Sequence, residues 1–172
     1  MVHIQTDRLN IRDIEASDVE GIFVLDSDPE VLRYIGTPVM TQRAQAEQVI
    51  AHIRRQYQKN GIGRWAMELR STGEFIGWTG LKWEQDIRPF PYYDLGYRLI
   101  RKYWGQGYAT ESARASLRHG FEVLGYPEIC AAAEADNLAS NRILRKIGMK
   151  QGEPFTFEGK VCNWYALKKE EA

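Results

Sequence analysis

The sequence predicts a mixed α/β domain: one central, mostly antiparallel sheet of six to seven strands with helices on both faces. Three observations carry this. Apolar residues recur at the helical period from Val19 to Tyr57, the period changes to two between Arg64 and Ile100, and strand and helix patterns then alternate toward the C-terminus. No repeat, linker or low-complexity tract divides the 172 residues, so residues 1–172 read as a single domain.

Each element has its own signal. Leu9 and Ile11 mark a short first strand. Ser17-Asp18-Val19-Glu20 reads as a capping box that opens a helix with Val19, Ile22, Phe23 and Leu25 on its apolar face. Asp28-Pro29 interrupts it, and a short second helix covers Pro29 to Tyr34. Thr41 is placed to cap a third, in which Ala46, Val49, Ile50, Ile53 and Tyr57 repeat until Asn60-Gly61 ends the pattern. Trp65, Met67 and Leu69 then alternate, Ser71-Thr72-Gly73 turns the chain, and Phe75 to Glu84 returns as the second arm of a hairpin. Gly77 and Gly80 weaken that arm, which points to a bulge or a close approach by backbone or ligand.

After a proline-containing loop from Gln85 to Pro91, the strand from Tyr92 to Ile100 puts Tyr93, Leu95, Tyr97 and Leu99 on one face and Asp94, Gly96 and Arg98 on the other. Ala109, Ala113, Leu117, Phe121 and Leu124 form the buried stripe of a helix ended by Gly125. A strand of small residues follows from Ile129 to Ala135, then a helix from Leu138 to Ile147 stopped by Gly148. Met149 to Glu153 and Val161 to Leu167 close the chain as a hairpin.

Composition narrows the function. Lysine plus arginine equal aspartate plus glutamate at 23 each, so no global field gathers nucleic acid or an anionic membrane. No segment approaches the roughly 18 apolar residues of a membrane span, and Met1 to Asp7 holds no apolar run behind basic residues, so the expected location is the cytoplasm. Cys130 and Cys162 share no metal-ligand spacing with each other or with His3, His52 and His119; they read as reduced core thiols, and no metal is expected.

The chemistry concentrates between Arg101 and Glu111, where Gly105 and Gly107 join the Tyr92 to Ile100 strand to a helix. Glycines so spaced let successive N–H groups point at one ligand, and the helix start adds its partial positive charge, a combination suited to phosphate. No Gly-Lys-Ser/Thr follows, which removes the P-loop, and Thr110 occupies the third glycine position of a dinucleotide fold.

Four motifs then stand in order: Thr6-x-Arg8-Leu9-x-Ile11-Arg12, Gly77-x-x-Gly80-Leu81, Tyr103-Trp104-Gly105-Gln106-Gly107-Tyr108-Ala109-Thr110-Glu111, and Asn137-x-x-Ser140-x-x-Ile143-Leu144-x-Lys146-x-Gly148-Met149. Together, from about Thr6 to Leu167, they resemble the GNAT acetyltransferase superfamily, in particular the RimJ/RimL-like branch whose named members acetylate N-termini of ribosomal proteins. The resemblance implies acetyl-CoA as co-substrate. The cofactor would lie on the segment Leu99, Ile100, Arg101, Lys102, Tyr103, Trp104, Gly105, Gln106, Gly107, Tyr108, Ala109 and Thr110, with its pyrophosphate on backbone N–H groups from about Tyr103 to Tyr108. The pantetheine arm would run beside the strand, with an N–H near Leu99 binding the thioester oxygen, and Asn137, Ser140 and Asn141 would stand near the cofactor. Asn137, after Asp136, also fits a plain helix cap.

The chain departs from the superfamily in two places. Lys102 replaces the glutamine or arginine often found three residues before the first glycine, a small change where backbone makes the contacts. Leu144 replaces a tyrosine that in many members protonates the departing thiolate, and Ser140 is the substitute the RimL-like branch implies. Asp94 is the first candidate for the base that takes the acceptor proton, with Glu84 and Glu134 as rivals. Trp83, Phe90, Tyr92 and Tyr93 are candidate walls of the acceptor pocket. The implied reaction is direct attack by a protein N-terminal or small primary amine in a ternary complex; the competing reading is an acyl-CoA-binding module without turnover. The sequence gives no oligomeric state.

Overall fold

A computed structural model describes residues 1–172. Nine strands form one sheet: β1 (Val2–Gln5), β2 (Leu9–Asp13), β3 (Trp65–Leu69), β4 (Phe75–Glu84), β5 (Tyr92–Leu99), β6 (Glu128–Glu134), β7 (Lys150–Gln151), β8 (Phe155–Phe157) and β9 (Lys160–Lys168). Their order is β1-β2-β3-β4-β5-β6-β9-β7, with β8 also paired to β9. The helices are α1 (Val19–Asp26), α2 (Pro29–Leu32), α3 (Arg43–Asn60), α4 (Tyr108–Glu122) and α5 (Leu138–Lys146).

The mixed, mostly antiparallel sheet is the expected one, with more strands than the six to seven predicted. The additions are short edge pieces. Val2–Gln5 is a four-residue strand, and the expected closing hairpin is three strands, of which β7 has two residues and β8 three. Segments this short carry too few alternations to register as periodic.

Two helix starts differ from expectation. Ahead of α1 a 3-10 turn covers Ala16–Asp18. It is held by Asp18 in place of Ser17: the Asp18 carboxylate accepts the Glu15 N–H at 2.8 Å and a bidentate pair of bonds from Arg12 at 2.8 and 2.9 Å. Ahead of α3 the Gln45 side chain, and not Thr41, accepts the Thr41 and Gln42 N–H groups at 2.8 and 2.9 Å. In both cases a longer side chain reached back over the first turn.

Apart from the start of β4, where the register shift turns Phe75 toward α1 and Ile76 toward α4, even-numbered residues of the central strands face α1 and α3, where Ala66 packs with Ile14, Val19, Ile22, Ala46, Ile50 and Ile53. Odd-numbered ones face α4. There Gly120 lets the helix sit so close that an added Cβ would stand 2.6 Å from both Leu81 and Ile129. The register of β3 on β4 shifts between Met67 and Glu68, opposite Gly77, whose φ of 150° and approach to the Arg98 carbonyl leave no room for a side chain. The sequence expectation of a bulge with close backbone approach is met at that glycine.

The feature that positions the site is a split in the sheet. β4 and β5 pair along eight registered positions, Gly77 with Leu99 through Glu84 with Tyr92. β5 and β6, which are parallel, share a single registered pair, Asp94 with Cys130, and beyond it they diverge.

Candidate active site

The backbone of β5 defines the split. The Ile100 N–H donates to the Ile76 carbonyl at 3.0 Å. Antiparallel strands bond through alternate residues, so Arg98, Gly96 and Asp94 also turn their N–H and C=O toward β4, and Leu99, Tyr97 and Leu95 turn theirs toward β6. Past the Asp94–Cys130 rung those groups face the open side of a V. The Leu99 carbonyl is taken by the Trp104 indole N–H at 2.9 Å, which anchors the half-exposed Trp104 over the strand end. The Tyr97 and Leu99 N–H groups are oriented to meet an extended ligand entering as an added strand.

At the mouth of the V lies the glycine segment. Gly105 and Gly107 have φ of 73° and 84°, in the left-handed region that strongly favours glycine. The N–H groups of Gly105, Gln106, Gly107, Tyr108, Ala109 and Thr110 find no acceptor within the protein; the first N–H of α4 to do so is that of Glu111, bonded to the Gly107 carbonyl at 3.0 Å. This row of free donors at the positive end of a 15-residue helix fits a pyrophosphate. Side chains before it are drawn away: Arg101 pairs with Asp28 at 2.9 Å and Lys102 with Glu74 at 2.7 Å.

The cradle is braced by residues at the far end of the chain. Glu111, in the first turn of α4, accepts from Thr6 Oγ1 at 2.6 Å, Arg8 Nε at 2.7 Å and the Arg8 N–H at 3.2 Å. Arg8 also donates to the Gln106 carbonyl at 2.9 Å and lies 4.2 Å from the Tyr108 ring centre. Burial favours the neutral form of Glu111, but the bonds from Thr6 and Arg8 outweigh it and hold the carboxyl below its ordinary 4.5. A carboxyl depressed on folding stabilises above its unfolded pKa and loses that contribution as pH falls through the folded value. Glu111→Gln is therefore expected to cost about 1 kcal/mol at pH 7, the upper range for a partly exposed network, and progressively less below pH 4.5. Urea titrations of both proteins from pH 7 to pH 3 check it; a difference independent of pH would remove the charged clamp.

Across the V, α5 presents Ser140 to the phenol of Tyr97. Their hydroxyl oxygens are 3.0 Å apart, and the Tyr97 hydroxyl also donates to the Ser140 carbonyl at 3.1 Å. Burial raises the Tyr97 phenol above its ordinary value, keeping it protonated. Asn137 caps α5, its side chain accepting the Ser140 N–H at 3.2 Å. The Asn141 amide is filled by protein: it donates to the Glu134 and Asn137 carbonyls at 2.8 and 2.7 Å and accepts from Asn163 at 2.8 Å and Tyr165 at 2.7 Å. It ties β6, α5 and β9 together beside the V. Leu144 is buried in the core.

Asp94 stands at the last rung before the strands part, on the face toward α1 and α3. It ion-pairs with Arg64, whose Nη1 also donates to the Gly80 and Asp94 carbonyls at 2.6 and 2.7 Å. Gly96 makes the room: a Cβ there would sit 2.6 Å from the Arg64 guanidinium. Burial pushes the Asp94 carboxyl up, against the pull of Arg64 and Lys82. Arg98 makes a second such ion pair four residues on from Asp94, with Asp26 at 2.6 Å, and Trp78 lies against both guanidinium groups, 5.2 and 4.9 Å from its ring. Glu84, a rival to Asp94, is occupied by the Gln85 and Asp86 N–H groups, each at 2.9 Å, and by Lys82 at 2.5 Å. The Glu134 side chain, at the end of β6, is half-buried.

The structure separates the expected acceptor wall. Trp83 and Tyr93 lie on the α4 face, where Tyr93 stacks on Tyr126 at 3.6 Å and Trp83 meets Tyr93 edge-on at 4.8 Å. Strand alternation puts them across the sheet from Asp94, so they do not converge on it. Tyr92 is on the Asp94 face, joined by Phe90 and by Trp164, the latter at 4.8 Å. Tyr97, Arg64, Arg88, Trp164 and the Thr6–Arg8–Glu111 brace were not predicted as site residues; the partners in that brace are about a hundred positions apart, beyond the reach of any local spacing.

Comparison with known proteins converges on one family. Residues 8–150 match the acetyltransferase (GNAT) domain family. The uncharacterized N-acetyltransferase YoaA of Bacillus subtilis is 38% identical over 149 residues, covering 86% of this chain and 82% of its own. An acetyltransferase of the GNAT family from Bacillus anthracis superposes with a TM-score of 0.83 at 25% identity, covering 99% of this chain and all of that one. RimL, a ribosomal-protein alpha-N acetyltransferase solved with coenzyme A, shares the fold with a TM-score of 0.77 at 16% identity and 98% coverage of each chain.

Proposed function

Taking as premise that this chain belongs to the GNAT acetyltransferase family, and is thus an acetyl-CoA-dependent acyltransferase, we propose that it acetylates a primary amine by direct attack in a ternary complex. The observation that carries this is the conjunction of the free N–H row at Gly105 to Thr110 with the split between β5 and β6, which together fit a pyrophosphate and an extended arm. Acetyl-CoA supplies the acetyl group already activated as a thioester. The protein's part is positional and electrostatic. The α4 cradle holds the phosphates, and the Tyr97 or Leu99 N–H donates to the carbonyl oxygen as charge develops on it.

Asp94 takes the acceptor's proton, directly or through water, its raised carboxyl being better matched to a base near neutral pH than an ordinary one. Arg64 positions it. Ser140 gives a proton to the departing sulfur and recovers one from solvent, and Tyr97, protonated and hydrogen-bonded to it, orients that hydroxyl. Ser140→Ala is then expected to lower kcat by roughly 100-fold, and Tyr97→Phe by about tenfold, with the KM for acetyl-CoA little changed in either. A raised KM at constant kcat would reassign Ser140 to cofactor binding.

The loop before α3 approaches the β8–β9 tip, where an added Cβ on Gly36 would lie 3.7 Å from Glu158 Oε2. In this reading the approach of the two segments narrows one end of the acceptor groove, which supports a small amine or a single terminal residue over an extended peptide. Acetyl-CoA supply places the activity in the cytoplasm. A thiol-release assay with a panel of small amines and N-terminal peptides tests the function. Stoichiometric release with an N-acetyl product is the expected result; tight acetyl-CoA binding without release to any amine would favour an acyl-CoA sensor, the reading that Leu144 in place of the family tyrosine supports.

A further inference from the structure

Arg88 differs from the chain's other enclosed arginines. Arg12, Arg64 and Arg98 each close on a carboxylate. Arg88, in the loop between β4 and β5, is held by three aromatic rings: its guanidinium carbon lies 4.4 Å from the centre of Phe155, 4.9 Å from Trp164 and 5.2 Å from Phe90. No carboxylate stands within ion-pair distance, and its Nε is enclosed without an acceptor. Beside the box the Tyr92 hydroxyl is likewise enclosed without a partner, on a side chain only 5% exposed.

The position of this box gives it meaning. Trp164 pairs with Ala132, two residues beyond Cys130 on β6, and Phe155 pairs with Cys162 on the same face. Cys130 is the partner of Asp94 at the last rung. The Trp164 ring reaches back to Tyr92, two residues before Asp94, so the box stands beside the last rung, on the Asp94 face, where an acceptor amine must approach. Aromatic faces attract a guanidinium but accept none of its in-plane N–H bonds, so the planar fork is fixed in orientation while its hydrogen-bonding capacity and charge stay uncompensated. The complement to that arrangement is a carboxylate.

We propose that Arg88 is the acceptor-recognition residue and that the preferred acceptors are primary amines carrying a carboxylate, bound to the Arg88 guanidinium while the amine reaches the Asp94 side of the V. This rests on the transferase reading above. Two sources offer the same chemistry, the α-carboxylate of a free amino acid and an acidic side chain near a peptide N-terminus.

The test compares matched pairs on wild type and Arg88→Gln: free amino acids against their carboxamides, and C-terminally amidated dipeptides with glutamate against glutamine in second place. Wild type is expected to favour the carboxylate member by roughly 10- to 100-fold in kcat/KM, as for a charge-assisted pair, and Arg88→Gln to bring the ratio near one. Taking the ratio within each pair across the two proteins cancels the different basicities of the amines. Which pairs show the effect identifies the source. Calorimetry of the CoA-loaded proteins with the N-acetylated members of both kinds of pair reads the same preference without turnover, so failure of all amines to react would sink the transferase reading alone. Equal affinities within both kinds of pair in wild type, or a preference that survives Arg88→Gln, would overturn the assignment of Arg88.

Discussion

Asp94→Asn is expected to lower turnover at neutral pH by roughly two to four orders of magnitude, with part of the loss returning as pH rises. At high pH the acceptor is deprotonated in solution, so a missing base matters less, whereas loss of a merely structural carboxylate gives a deficit nearly independent of pH. The substitution also leaves Arg64 buried without its counter-ion. Breaking such a pair from one side costs about 3–5 kcal/mol, so the pH profile is to be taken at a temperature where circular dichroism shows the variant folded. Arg64→Met provides the complementary variant: it keeps the carboxylate and removes its holder, and is expected to destabilise similarly while retaining more activity than Asp94→Asn. Wild-type turnover in Asp94→Asn at pH 7 would pass the role to Glu134 or ordered water, since Glu84 is already committed to the Gln85 and Asp86 N–H groups.

The second large effect is on cofactor affinity. Gly107 has a φ of 84°, and a Cβ built on it would stand 3.3 Å from the Arg8 guanidinium. A β-branched residue there opposes the left-handed backbone, at about 1–3 kcal/mol, and displaces the arginine that bonds the Gln106 carbonyl. With about 1.5–3 kcal/mol lost for each weakened charge-assisted N–H bond, Gly107→Val is expected to raise the Kd for acetyl-CoA by at least about 100-fold. Gly105 has the same backbone sign but open space where its Cβ would be. Gly105→Ala carries strain alone and is expected to weaken binding only about tenfold. Calorimetry orders the two, and unchanged affinity in both would remove the pyrophosphate assignment.

Local pattern carried most of the architecture. The period change near Arg64, the Gly105–Gly107 turn and the Gly148 stop all fall where the structure has them, because each is a property of a few neighbouring residues. The helix starts at Glu15 and Gln42 were misplaced because Asp18 and Gln45 act from one turn downstream, in competition with the shorter Ser17 and Thr41. The cradle was legible for the same local reason. What surrounds it was not: Thr6 and Arg8 meet Glu111, Tyr97 meets Ser140, Asp94 meets Arg64, and Arg88 meets Trp164 only through tertiary packing. Strand alternation did contain one warning. It set Tyr93 and Asp94 on opposite faces, which already opposed a shared acceptor wall.

The split sheet also bears on how the chain assembles. Every pairing from β1 to β5 is between strands consecutive in sequence, and β7 and β8 pair only with β9, so each half can form from its own neighbouring segments. The halves meet in the sheet at one rung, and α4 packs on β4, β5 and β6 across the join. Loop closure between distant residues is the slow, entropically costly part of assembly, which makes docking of α4 the step that unites two preformed half-sheets. The same helix start carries the phosphate cradle, so ligand binding there is expected to suppress the partial unfolding in which the halves separate. Amide exchange along Ala113 to Phe121 would then slow more than exchange within either hairpin.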